Sequence, residues 1–592
     1  MRTAEAASPP PAAPARADPG PVTDGSELGL AAVDLDLPAA SPTRAAEPTS
    51  GVRASSTLRR LFVAAREQRL AAAFVVVALG LAVWLRFQTA SALWLDEALT
   101  VDIARSPLSQ IPHLLRHDGA PPLYYVLLHG WIRLFGQGNL AVRSLAGVFG
   151  LINLPLAWLA GFHVGSHLWS LDEAPSQAER DARVARGRTV GWAAMLLVAS
   201  SPFAVYYDTE ARMYGLVLLL GTAAVVIYAR LLRRPGPLWA GALALDTAAL
   251  LYSHYWALYA GAVAGIGTLV WAVWAPDRRT RRACRFALGG LAAGAVAFIP
   301  WMPTFLFQLA YTGTPWASPA GLTAVIFTVT QFAGGNSDPG RALALFFFFL
   351  AVVAVAGIPY GRRMVLLDLR TRAGVRAVAL AVLGTLVLAL LVGRLVGSTF
   401  ADRYTSVVAF PALLVVAYGL ALLPTRRIRN GVLAAAVVLG FLAAVPNAFL
   451  SRTQGGQVGS TISALGRPGD VVAFCPDQLG PSVSRTLGGS FRALTFPRGT
   501  SPYIVDWVNY TSVVESTRTS PFVRRLLRLA GPNHDIWYVW APGYVGYGTK
   551  CQGIADALSL VRRQKVVVPA RASDTPYEIF EGMTLDRYSP RR

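Results

Sequence analysis

The sequence predicts a polytopic α-helical membrane protein with about eleven transmembrane helices and a small C-terminal extracytoplasmic α/β domain. Three observations predict it. Apolar runs close to the ~20 residues needed to cross a bilayer recur from about Arg69 onward. Alternate connecting loops carry clustered Arg, which marks a cytoplasmic loop. After about Leu450 the composition turns to Gly, Ser, Thr, Asp and Pro with short mixed segments, as in a folded water-facing unit. The totals agree: 54% of the 592 residues are hydrophobic and 15% are charged, against about 25% charged in a soluble domain.

The net charge is +21, from 54 basic and 33 acidic residues. Such a balance admits nucleic acid, an anionic membrane or membrane topology as its cause. The Arg positions favour topology, and no nucleic-acid partner is expected. Lys occurs only at Lys550 and Lys565, a bias that suggests a high-GC bacterial source. Three cysteines exclude a disulfide-rich scaffold. Cys475 and Cys551 can pair in an oxidising compartment, and two free buried thiols are an equally open reading.

Residues 1–57 read as a disordered cytoplasmic tail. They are rich in Pro, Ala and Ser, carry scattered acids, and lack the apolar periodicity that folding requires. No secretory signal occupies the N-terminus. The multispanning domain is expected over 58–450, with crossings near 69–88, 141–165, 189–206, 211–232, 238–254, 256–275, 286–306, 341–360, 375–396, 405–423 and 431–449. Arg-rich loops begin at Arg59 and then alternate, so the N-terminus is expected in the cytoplasm. The odd count puts the C-terminal domain, 451–592, on the outer side. Within it 470–474, 535–540 and 565–568 are β-like and 553–563 is helix-like.

The remaining signal is polar residues at outward helix ends. The first outward loop reads Trp94-Leu95-Asp96-Glu97-Ala98 and continues to Asp118-Gly119-Ala120-Pro121-Pro122-Leu123-Tyr124-Tyr125. Acids at a membrane surface are costly unless paired, protonated or facing water, which makes Asp96 and Glu97 catalytic candidates. Either suits a general base that takes a proton from a hydroxyl during an inverting displacement. The Pro pair starts an apolar helix over 123–135 that is expected to lie along the interface. His113, His117 and His129 lie nearby without metal-ligand spacing, so a divalent cation is possible but not indicated.

A second cluster, Tyr206-Tyr207-Asp208-Thr209-Glu210-Ala211-Arg212-Met213-Tyr214, offers two readings. Arg212 pairs locally with Asp208 or Glu210, or it holds an anionic ligand. In a third, Asp402-Arg403-Tyr404, the guanidinium matches bidentate phosphate recognition, against a local pair with Asp402. Arg143 is a weaker candidate for the same task. His254, at another outer helix end, reads as structural more readily than catalytic.

Taken in order, Trp94-Leu95-Asp96-Glu97-Ala98, the Pro-Pro-Leu-Tyr-Tyr segment, Ala141-Val142-Arg143-Ser144-Leu145, Glu210-Ala211-Arg212-Met213-Tyr214 and Arg403-Tyr404 resemble the multispanning GT-C glycosyltransferases. The likeness is to the protein O-mannosyltransferase-like branch that includes bacterial lipid A aminoarabinose transferases, and it covers about residues 69–425. It implies a polyprenyl-phosphate sugar donor, mannose-type favoured, and a protein, lipid or glycan acceptor on the extracytoplasmic side of the cell membrane. It also implies a catalytic base at Asp96 with Glu97 beside it, a donor-phosphate contact at Arg403, and Arg212 lining the cavity. Asp118, Arg143, Tyr207, Glu210, Tyr214, His254 and Tyr404 complete the expected substrate-binding set. Ala120 departs from the His or Lys often found before the Pro pair. The competing readings are a carrier of lipid-linked sugars and a non-catalytic assembly protein; the lack of a convincing internal repeat disfavours the carrier.

Overall fold

The computed structural model describes residues 50–167, 176–313, 321–335, 337–360, 364–367, 373–396, 400–571 and 580–591. The chain divides into a first unit, Met1–Arg69, and a second, Leu70–Arg592. In the first, the described residues are helical, and positions 1–49 of the expected tail lie outside the described residues.

The helices are α1 Ser50–Leu85, α2 Leu95–Ala104, α3 Ile111–Asp118, α4 Leu123–Phe135, α5 Asn139–His167, α6 Gln177–Ser200, α7 Pro202–Asp208, α8 Tyr214–Arg233, α9 Pro237–Leu251, α10 Ala257–Trp274 and α11 Arg278–Ala297. They continue with α12 Met302–Tyr311, α13 Thr323–Phe332, α14 Asp338–Ala356, α15 Ala373–Val396, α16 Ser406–Ala421 and α17 Arg426–Ala444. A short hairpin, β1 Gly357–Tyr360 with β2 Met364–Leu367, joins α14 to α15. Among the described residues nine helical segments are long and apolar enough to cross a membrane, ten if the bent pair α6 and α7 is one span.

Eleven crossings were expected, and the difference lies in 238–254. There α9 has 15 residues, about 22 Å of helix against a ~30 Å hydrocarbon core. It nonetheless carries the chain from the Arg233 end of α8 to His254, whose ring stands 5.9 Å from that of Tyr214 at the opposite end of α8. Each of the other ten expected crossings coincides with a long helix or with the bent pair. The 123–135 segment forms α4 as expected.

The most extensive helix packing joins α5 and α6, for a reason written in small residues. Gly161 and Gly165 on α5 meet Gly187 and Gly191 on α6, each pair spaced four apart. A Cβ on Gly161 would stand 2.7 Å from the Val190 carbonyl, and one on Gly191 would stand 2.8 Å from the Trp158 carbonyl. In a bilayer such small-residue faces let backbones approach and gain dispersion contact.

The C-terminal region adds α18 Gly455–Leu465, β3 Val471–Cys475, α19 Leu479–Ser484, β4 Arg492–Thr495, α20 Tyr510–Ser516, α21 Thr519–Ala530, β5 Ile536–Trp540, α22 Lys550–Val561, β6 Arg562–Val568 and β7 Thr584–Pro590. The strands form one sheet in the order β4-β3-β5-β7-β6, parallel across β4, β3 and β5 and antiparallel at β7 and β6. The three β-like segments of the sequence are β3, β5 and β6; β4 and β7 were not expected. Cys475 and Cys551 form a disulfide from the end of β3 to the start of α22, with Cα atoms 5.5 Å apart. Strand alternation sends Val471, Ala473 and Cys475, with Ile536, Tyr538 and Trp540, into one core shared with Trp94, Leu95, Leu99 and Ile103 of α2 and its cap. The sheet domain and the segment that carries α2 therefore form one packed body, and α19 lies directly on α2.

Candidate active site

Asp96 and Glu97 occupy the first turn of α2, where the helix N-terminus favours negative charge. They part there. The Glu97 carboxylate is buried and clamped by Arg143, whose Nε donates to Oε1 at 2.7 Å and whose Nη2 donates to Oε2 at 2.5 Å. The Ala211 N–H adds a third bond at 2.9 Å. Burial alone would raise this carboxyl, but the Arg143 charge and hydrogen bonds, with Arg452 and Ala211, hold it below its ordinary value. Arg143 spends its other donors on the Ser91 and Ala92 carbonyls. The pair is a strut that fixes the loop before α2 against α5.

Asp96 faces the other way. Its Oδ2 stands 3.8 Å from Arg212 Nη2 and 3.6 Å from Arg403 Nη1, with all three side chains partly accessible. These separations exceed hydrogen-bond length. The two arginines come from opposite parts of the chain, Arg212 ahead of α8 and Arg403 ahead of α16.

Arg212 does not pair with the acids that its sequence neighbours offered. Asp208 is bonded to Arg86 at 2.8 Å, and Glu210 accepts the Trp94 indole N–H at 2.8 Å. Arg212 Nη1 instead donates to the Thr100 hydroxyl at 2.9 Å and the Tyr125 hydroxyl at 3.2 Å. Tyr125 in turn donates to Asp118 at 2.8 Å. Arg403 lies over the Trp94 and Tyr404 rings, 5.8 and 5.6 Å from their centroids.

Burial governs the titration of the surrounding acids. It raises Asp118 against the opposing pull of Arg212 and the Tyr125 hydroxyl. It pushes Glu210 up to about 7, against the pull of Arg452 and with the help of the Glu97 charge. Burial, then the charges of Arg212 and Arg403, lower His254 to about 3. His254 is therefore neutral near pH 7, and its Nδ1 accepts the Trp256 N–H at 3.1 Å, which leaves the proton on Nε2. Its ring stands 5.1 Å from that of Tyr404, and Tyr207 stands edge-on to Tyr214 at 4.9 Å. These rings form an aromatic wall beside the charged centre.

Asp96, Asp118, Glu210, Arg212, Tyr214, His254, Arg403 and Tyr404 are thus gathered at one end of the helices. Glu97 and Arg143 adjoin them as a closed pair, and Tyr207 is one layer behind Tyr214. Among the described residues no group of three or more His, Cys, Asp or Glu can hold a metal ion. His129 Nδ1 is bonded to the Ala104 carbonyl at 2.7 Å and His117 to Asp506 at 3.0 Å.

Two arginines escaped the sequence reading. Arg86 is fully buried and bonds Asp208 and the Ala82, Val198 and Ala199 carbonyls. Arg452 binds the Thr209 hydroxyl at 2.8 Å and Asn447 at 2.9 Å and stacks on Tyr206. Both sit at helix ends that the loop charges lead one to expect on the outer side, where topology does not call for Arg, and that signal was available.

No protein-family model and no curated protein sequence matches the chain. Among solved structures, ArnT from Cupriavidus metallidurans in the apo state is similar, with a TM-score of 0.55 at 13% identity, over 88% of this chain and 98% of that one. ArnT from the same organism bound to undecaprenyl phosphate aligns with a TM-score of 0.39 at 14% identity, over 87% and 97% of the two chains. The first likeness spans both the membrane helices and the C-terminal sheet domain, and it shows a fold shared with that protein.

Proposed function

We propose that this chain is an integral-membrane glycosyltransferase that moves a sugar, mannose-type favoured, from a polyprenyl phosphate to a hydroxyl acceptor on the extracytoplasmic side. The observation that carries the reading is Asp96 between Arg212 and Arg403, its Oδ2 3.8 and 3.6 Å from their guanidinium nitrogens with all three side chains partly accessible. Arg212 Nε, moreover, is buried without a hydrogen-bond partner. Two cations beside an aromatic wall suit a phosphate carried on an apolar chain.

In this reading Asp96 takes the proton of the acceptor hydroxyl as its oxygen attacks the anomeric carbon. The bond from that carbon to the phosphate oxygen breaks, its electron pair stays on the phosphate, and Arg212 and Arg403 stabilise that charge. Attack opposite the leaving phosphate inverts the anomeric carbon. Glu97 is assigned to the scaffold, through Arg143. Two features favour an outer location: the site lies at the helix ends opposite the Arg-rich loops, and the sheet domain carries a disulfide, which persists in oxidising compartments. On the same grounds we assign 58–450 to the membrane transferase, 451–592 to an extracytoplasmic domain and the N-terminus to the cytoplasm.

The test is incubation of the purified protein with a panel of polyprenyl-phosphate sugars, following release of polyprenyl phosphate. Asp96→Asn is expected to lower turnover at least ~10²-fold, the scale of a lost general base, while the protein remains inserted and folded. Retained turnover in Asp96→Asn removes the base assignment, and no release by the wild type with any donor removes the transferase reading.

A further inference from the structure

The C-terminal domain reaches the Asp96 site with chemistry of its own. The parallel strands β3 and β5 both end toward α2: α19, which follows β3, packs on that helix, and the loop after β5 carries Tyr544. In open sheets with parallel strands, ligands bind at the carboxyl ends of the strands. Between these ends and Asp96 stands Glu581. Its backbone is fixed on both sides, its N–H donating to the Arg452 carbonyl at 2.9 Å and its carbonyl accepting from Gln454 at 3.0 Å. The Thr453 hydroxyl donates to Oε2. The same segment is stitched to the chain ahead of Asp96, through Arg452 N–H to the Ser91 hydroxyl at 2.8 Å and Ala90 N–H to the Ala448 carbonyl at 3.0 Å.

The other carboxylate oxygen, Oε1, is buried and completes no hydrogen bond of good geometry, although the Ser482 hydroxyl and the Leu95 N–H stand near the carboxyl and favour its charged form. A buried polar atom left in this state marks a place where a ligand can supply the missing partner. Asp96 lies near enough to bear electrostatically on both Glu581 and Tyr544. Burial, reinforced by the Asp96 charge, pushes Glu581 up to about 8. Near pH 7 it therefore adds little negative charge beside an incoming phosphate, and it can either give or accept a hydrogen bond.

We propose that Glu581, supplied by the C-terminal domain, binds the acceptor in the Asp96 site by hydrogen bonding a hydroxyl of a sugar-like polyol next to the hydroxyl that Asp96 deprotonates. This rests on the transferase reading above. It gives the sheet domain a part in choosing the acceptor, while the arginines of the membrane helices hold the donor.

The experiment uses the full-length purified protein, a polyprenyl-phosphate sugar that the wild type turns over, and methyl glycosides as acceptor probes. Transfer to the glycoside and release of polyprenyl phosphate to water are followed together. Glu581→Gln is expected to raise the glycoside KM about tenfold or more, as for loss of one hydrogen bond to a charged or strongly polar group. Donor KM and release to water should stay within about twofold. Thr453→Val, which frees the carboxyl without removing it, is expected to give a smaller rise in the same direction. An unchanged glycoside KM in Glu581→Gln overturns the proposal and leaves the transferase reading standing. So does a parallel loss of transfer and of release to water, since that marks a structural role. A wild type that releases no polyprenyl phosphate from any donor overturns the transferase reading itself and this proposal with it.

Discussion

At consecutive positions of one helical turn, the Asp96 side chain keeps 16% of its exposure while that of Glu97 keeps none. A helix turns by about 100° per residue, so neighbouring side chains cannot face one site. Which carboxylate faces Arg212 and Arg403 depends on how α2 is rotated against α5, and Arg143 sets that rotation. Removing one partner of a buried, hydrogen-bonded ion pair leaves an uncompensated charge and costs about 3–5 kcal/mol. Arg143→Ala is therefore expected to lower the thermal unfolding midpoint in detergent or lipid, whereas Asp96→Asn leaves it nearly unchanged. A midpoint drop in both variants, or in Asp96→Asn alone, contradicts the division of labour between the two acids.

Among the elements, the α5 and α6 pair is demanding in shape along an extended seam. Their facing glycines leave no room for a side chain, and a bulky one must push the helices apart or leave its rotamer. Gly161→Leu is expected to cost about 1–3 kcal/mol or more, read as a lower thermal midpoint and poorer yield of monodisperse protein. Gly265→Leu on α10, where a Cβ would meet nothing within 4 Å, is the matched control and should be tolerated. Apolar length along the chain announced these helices, because crossing a bilayer is a requirement on a local stretch. Their close packing was less legible, since a four-residue glycine spacing says where a helix can be approached and not by which partner. The short α9 shows the same limit: its composition reads as a crossing, and only its ends reveal a 15-residue helix.

For the whole molecule, the disulfide ties β3 to α22 within the sheet domain, and the shared core binds that domain to the loop that carries Asp96. Closing a loop of 76 residues removes unfolded-state freedom worth about 4 kcal/mol in the chain-entropy account. The Cys475→Ser, Cys551→Ser double variant is expected to unfold at a lower temperature than the wild type and to be insensitive to reductant, while the wild type is sensitive. Equal midpoints with and without reductant in the wild type would show that the bridge does not hold this domain. The sequence by itself determined the membrane class, ten of the eleven crossing segments as long helices or a bent pair, the presence of a C-terminal α/β domain, and the polar clusters at helix ends that the structure gathers around Asp96. All of these follow from apolar length, alternation and the cost of charge near lipid, which are properties of contiguous residues. The tertiary structure decided the partnerships: Arg212 and Arg403 on either side of Asp96, Arg143 with Glu97, Arg86 with Asp208, and Glu581 brought in from 485 positions beyond Asp96. Each depends on the rotation and register of elements far apart in the chain, and these are set by close packing that local pattern does not encode.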